Sequence, residues 1–185
     1  MKLLHAITFL LVTGAAAALH AESDATVPLP TPLEVAGYSR ISTSAEMSTF
    51  IHALAGRHPA FARMESIGDS VQGRPIEVIR LTAPRAEDAA PRLRVMVIGT
   101  QHGAAEPAGG EALLAIAREL LSGDLRPLLE DLDVILLPNA NPDGRDLKRR
   151  SNANGININA FGLSRLTSKP ANKVSGSLCN TARAA

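Results

Sequence analysis

The sequence predicts an α/β domain: a mixed β-sheet with helices packed on it, antiparallel in an N-terminal hairpin and parallel in a βαβ unit that follows. Three observations carry that prediction. The apolar runs Leu93 to Ile98 and Asp133 to Leu137 read as strands, and Leu113, Ala117, Leu120 and Leu121 recur between them at helical spacing. Upstream, Arg63 to Ile67 and Ile76 to Thr82 flank a loop with two glycines, as the arms of a hairpin do.

The elements follow in chain order. Met1 to His5 is a short basic start, Ala6 to Leu19 is mostly apolar, and Leu19-His20-Ala21 is a small-residue cleavage site, so residues 1–21 read as a signal peptide. This run is too short and too rich in Ala and Gly for a spanning helix, which needs about 20 apolar residues. Export to a periplasm or full secretion follows, with no stable membrane insertion after cleavage. Residues 22–42, with three prolines between Thr26 and Pro32, read as an extended linker. Thr43-x-x-Glu46 is a capping box opening a helix whose apolar face is Met47, Phe50, Ile51 and Leu54, ending near Gly56. The hairpin comes next, then a charged connector from Ala83 to Pro91 and the strand Leu93 to Ile98, expected to be buried on both faces. The helix Pro107 to Leu121 and the second strand complete the βαβ unit, expected to be right-handed. One domain over residues 43–159 accommodates all of this, without internal repeats.

The chemistry gathers where these strands end. Gly99-Thr100-Gln101-His102-Gly103-Ala104-Ala105-Glu106-Pro107 is a strand-to-helix turn, the position where open α/β sheets keep their sites. A neutral imidazole and a carboxylate on one turn can each supply a zinc ligand at about 2.0–2.2 Å. The same residues also fit a simpler reading, with His102 capping the turn and Glu106 at a helix N-terminus. After the second strand, Pro138-Asn139-Ala140-Asn141-Pro142-Asp143-Gly144 is a strong turn signal, and Arg149 and Arg150 follow beside several side-chain amides. Two arginines in that place suit an anionic group on a substrate.

Taken together, these segments resemble the zinc carboxypeptidase family, metallopeptidases that remove a C-terminal residue with zinc held by His, Glu and a second His. The resemblance runs from about Ile67 to Asn159. It includes Gly68-Asp69-Ser70-Val71-Gln72-Gly73-Arg74-Pro75-Ile76, the His102/Glu106 turn, Asn141-Pro142-Asp143-Gly144 and Gly155-Ile156-Asn157-Ile158-Asn159. It implies that His102 and Glu106 are zinc ligands, that Arg149 or Arg150 polarises the scissile carbonyl, and that Asn159 binds the terminal carboxylate of a peptide. It also implies a zinc-carboxypeptidase-like fold, incomplete at its C-terminal end. Three departures accompany the match. The family spaces its first ligands H-x-x-E, whereas this chain has H-x-x-x-E. Asn157 replaces the family's Asp, and Ala160 replaces the Arg that pairs with the substrate-binding Asn. Ala cannot form the bidentate contact by which Arg recognises a carboxylate.

None of the five histidines, His5, His20, His52, His58 and His102, follows the motif region, and no Asp or Glu follows Asp146. The family's third ligand and its late Glu general base, a contribution of about 10²- to 10⁴-fold, have no counterpart. His52 and His58, on the flank and at the end of the first predicted helix, are the candidates to substitute for that ligand, but they read as ordinary surface or interfacial histidines. Residues 160–185 carry basic and scattered apolar residues with no acidic residue and no clear period, as in a segment without a fold of its own. The expectation is that the chain leaves its family's reading frame, or is cut short, near Ala160; a basic interaction tail is the alternative. The sequence therefore predicts a carboxypeptidase-like hydrolase with little or no turnover as written. Its rivals are a zinc amidase or deacylase for cell-wall peptides or N-acyl amino acids, and a non-catalytic peptide-binding module.

Composition narrows the partners. A formal net charge of +1 and 3% aromatic residues give no basis for nucleic-acid binding. The single cysteine, Cys179, rules out an intrachain disulfide, so stability comes from the core. The expected partner is a peptide or amide substrate, and the expected state is monomeric.

Overall fold

A computed structural model describes residues 28–159 and 173–174. The predicted signal peptide and nearly all of residues 160–185 lie outside the described residues. Five strands form one sheet in the order β3-β4-β2-β1-β5: β1 (Ala62–Asp69), β2 (Pro75–Leu81), β3 (Leu93–Ile98), β4 (Leu132–Leu137) and the two-residue β5 (Lys173–Val174). β1 and β2 are the antiparallel hairpin, β2 pairs antiparallel with β4, and β3 runs parallel to β4 from Leu93 opposite Leu132 to Ile98 opposite Leu137. β5 adds a short antiparallel contact at Gly68 and Asp69. The sheet is mixed, as expected.

The strands divide their side chains by parity. Ile79, Leu81, Val134 and Leu136 face α2 (Ser44–Arg57) and α3 (Ala108–Ser122), forming one core with Met47, Phe50, Leu54, Leu114, Ala117 and Leu121. Ile67, Ile76, Val78, Ile135 and Leu137 form a second core cluster. Thr43 caps α2 through the predicted box, its side chain accepting from Glu46 N–H while Glu46 returns to the Thr43 N–H.

Two expectations change. Residues 22–42, read as an extended linker, contain a one-turn helix, α1 (Pro32–Val35), because Thr31 and Glu34 form a capping box of their own and Pro32 is preset for a first helical turn. β3 is not buried on both faces: Leu93 is 68% and Ile98 44% exposed. It stands at the edge of the sheet, paired only with β4 among the described residues, so its apolar character was no guide to burial.

Candidate active site

The site is assembled where β3 and β4 end. Their pairing continues past the strands, Gly99 N–H donating to Leu137 O at 2.8 Å and Ala140 N–H to Gly99 O at 3.2 Å, which lays the two loops side by side. Asn141, fully buried, then joins three segments. Its amide nitrogen donates to Gln101 O and to Arg150 O, each at 3.3 Å, and its carbonyl oxygen accepts from Gly144 N–H at 3.0 Å, capping α4 (Pro142–Asp146). A side chain reading as a turn former in sequence thus fixes the distance between the His102 turn and the Arg150 segment.

Glycines allow the approach. Gly103 has φ +50, and a Cβ there would collide with Arg149 O and with the backbone of Gly144. Gly110, in the first turns of α3, packs directly on Thr100 and on Pro138 O, which a Cβ would approach to 2.8 Å. Thr100 itself adopts φ +53, unusual for a β-branched residue, and its hydroxyl accepts from Arg145 Nη1 at 3.3 Å.

His102 is buried, while Glu106 and Arg150 reach it from a more exposed rim. His102 Nδ1 lies 2.5 Å from Glu106 Oε2, across the extra residue of the H-x-x-x-E spacing, which the short helix Gly103–Ala105 takes up. Arg150 Nη2 is 3.2 Å from His102 Nε2, and Arg150 Nη1 donates to Glu106 Oε1 at 3.5 Å. The hydrogen bond with His102 holds the Glu106 carboxyl below the usual carboxylate range, and the Arg150 charge acts in the same direction.

The structure separates the two arginines. Arg150 turns its guanidinium onto His102 and Glu106, whereas Arg149 enters the site's framework through its backbone, its N–H donating to Gly144 O at 2.7 Å and its carbonyl packing on Gly103. Asn159 is exposed, its N–H donating to Asn157 Oδ1 at 3.2 Å. His52 is half exposed and bonded to Glu77 at 2.6 Å, and His58 is the C-cap of α2 with its imidazole pulled down by burial; neither is joined to His102.

Sequence reasoning missed the frame behind the site. Asp143 is buried and accepts from Ser70 Oγ at 2.7 Å, Gln72 N–H at 3.1 Å and Arg74 Nη1 at 2.6 Å. The Gly68-to-Ile76 and Asn-Pro-Asp-Gly motifs are therefore two halves of one interlock. Arg145, wholly enclosed, donates to the Glu111 carboxylate and to Ser42 O at 2.6 Å. Ser42 also binds Glu111 through its N–H and its hydroxyl, each at 2.8 Å. Nothing in the sequence marked Arg145, which directly follows the Pro138-to-Gly144 turn signal.

A histidine, a carboxylate and an arginine at the C-terminal ends of parallel strands have the layout of an α/β enzyme cleft. Residues 47–176 match the zinc carboxypeptidase family, and the chain belongs to it. Carboxypeptidase D of Rattus norvegicus is 38% identical over 117 residues, which cover 52% of this chain and 8% of that protein. Carboxypeptidase E of Caenorhabditis elegans is 30% identical over 142 residues, 67% of this chain and 30% of that one. Among solved structures, the metallo-carboxypeptidase from Burkholderia cenocepacia superposes with a TM-score of 0.62 at 26% identity, covering 78% of this chain and 38% of that chain. The chain spans well under two thirds of each.

Family membership implies zinc, and the donor set tests it. A catalytic zinc takes three protein ligands. Among the described residues no three His, Cys, Asp or Glu side chains cluster, and His102 and Glu106 are bonded to each other. The described residues do not complete a zinc site.

Proposed function

We propose that this chain carries the N-terminal part of a zinc-dependent, metallocarboxypeptidase-like hydrolase acting at peptide C-termini, with little or no turnover by itself. The observation that carries this is the convergence of His102, Glu106 and Arg150, three residue types of the family's chemistry, brought from segments 44 residues apart. In this reading His102 and Glu106 are the metal-ligating pair of the cleft. Arg150, rather than Arg149, offers N–H donors to a substrate carbonyl, which stabilise an oxyanion as it forms. Asn159 is assigned to the substrate's terminal carboxylate. Hydrolysis needs a third ligand and a base that the described residues do not supply. Residues 1–21 act as an export signal, placing the protein in a periplasm or outside the cell; no helix among the described residues is long and apolar enough to cross a membrane.

The test is a turnover assay on the full chain with added zinc, using peptides with free C-termini beside amidated peptides and N-acyl amino acids. The expected result is peptide binding that weakens in Arg150→Ala, with negligible hydrolysis. Robust, chelator-sensitive cleavage overturns the inactive assignment. Preference for amidated or acylated substrates moves the function to an amidase or deacylase, a direction favoured by Ala160 in place of the family's Arg.

A further inference from the structure

Beyond Glu106 the surface holds a second hollow, of about 470 Å³, between the α1 segment and the first turns of α3. It is lined from α3 by Ala108 and Ala112, from the turn before it by Pro107, and from the α1 segment by Leu33, Tyr38 and Ile41. The two carboxylates that also line it are already engaged. Glu34 accepts from Arg118 Nη1 at 2.6 Å and from Thr31 N–H at 2.7 Å, and Glu111 is held by Arg145 and Ser42. A ligand entering the hollow therefore meets apolar surface and no uncommitted charge.

Tyr38 stands at this hollow with 71% of its surface exposed, an aromatic ring left in water beside apolar side chains. Its backbone has φ +60, uncommon for a bulky residue. The close of α1 imposes that conformation: Tyr38 N–H donates to Leu33 O at 3.0 Å and Gly37 N–H to Glu34 O at 2.9 Å. The backbone under the ring is thus fixed before a ligand arrives, which lowers the cost of ordering it on binding. A tyrosine so placed supplies contact area with few rotors to immobilise.

Position identifies the occupant. A peptide whose C-terminal residue lies in the cleft can leave it only through its upstream residues, and Pro107 and Ala108 directly follow Glu106 on the cleft's rim. We propose that this hollow takes an apolar side chain of the peptide, upstream of its C-terminal residue, and that Tyr38 and Ala112 select for it. The inference rests on the peptide reading of the cleft and adds the class of peptide.

The chain has one tyrosine and no tryptophan, so its tyrosine emission reports on this hollow without labelling. The test titrates the full chain, as wild type, Tyr38→Ser and Ala112→Gln, by calorimetry and, where Tyr38 remains, by emission. The probes are acetyl-GGGGGL and the same peptide with a second leucine at the second, third or fourth position from its end, each with a free and an amidated C-terminus. Gln is a good helix former at the exposed Ala112 position, and its longer side chain fills the hollow. In wild type, one of the two-leucine peptides is expected to bind about tenfold more tightly than acetyl-GGGGGL, the lower end of what burying a leucine side chain gives. It should change the tyrosine emission with the same midpoint. Both variants are expected to bring the ratio of the two affinities close to one. Equal binding of all the peptides by wild type, or a leucine preference that both variants keep, overturns the inference and leaves the peptide reading intact. A preference shown equally by the amidated peptides upholds the hollow and defeats the placement of a free C-terminus in the cleft. Absence of binding by every peptide overturns both.

Discussion

Arg145 donates to the carboxylate of Glu111 inside the domain, with the arginine side chain at 0% exposure and the glutamate at 8%. Burial pulls the guanidinium below its ordinary value, and the attraction of Glu111 opposes that pull. The pair joins α3 to α4, and through Ser42 and Thr100 it reaches the start of α2 and the end of β3. Removing one partner leaves an uncompensated buried charge. Glu111→Leu is therefore expected to lower unfolding free energy by about 3–5 kcal/mol, while Glu111→Leu combined with Arg145→Met loses far less. Urea unfolding of the two variants checks this; equal losses would show that the pair stabilises by itself.

Asp143 receives three hydrogen bonds from the Ser70-to-Arg74 loop, one from a charged guanidinium. Asp143→Asn keeps the shape but loses the charge and one acceptor, with an expected cost of about 1.5–3 kcal/mol. Hydrogen exchange at Gln72 N–H reports the same loss locally, because that amide donates to Asp143 Oδ2. Unchanged protection at Gln72 would separate the two motifs.

Gly103 has no room for a side chain and adopts a positive φ. Gly103→Ala is expected to cost about 1–3 kcal/mol, the usual range for an overpacked position. It should also push the His102 turn from Arg150, visible as a changed His102 ring shift. A stable Gly103→Ala protein with an unaltered His102 signal would show that the close approach to Arg149 O is not needed.

The start of α2 carries a pH dependence. The Glu46 carboxyl is drawn from its ordinary 4.5 to about 2, chiefly by Arg40, then by the Thr43 N–H. Because the folded value is the lower one, the ionised form favours the fold. Its contribution is complete above about pH 4.5 and is lost as pH falls through about 2. An NMR titration of Glu46 should show that low midpoint, and Arg40→Ala should return it toward 4.5. An unshifted midpoint in the variant would assign the effect to the helix cap alone.

The sequence by itself determined the elements and the turn that holds the chemistry. Strand and helix periods, the Thr43 box and the His102-to-Glu106 spacing are local properties, fixed by side-chain type and φ/ψ preference within a few residues. Only the tertiary structure decided how those pieces meet. Arg149 and Arg150 are indistinguishable by type; the carbonyl that each presents, one to Gly103 and the other to Asn141, sets which guanidinium reaches His102. β3 reads as a buried strand because its residues are apolar, yet among the described residues its exposure follows from its edge position, which depends on the order of strands that are not neighbours in sequence. The same holds for Arg145 and Asp143. Burying a charge is costly, and it is tolerated only where partners from elsewhere in the chain converge to satisfy it, a condition that no stretch of sequence contains.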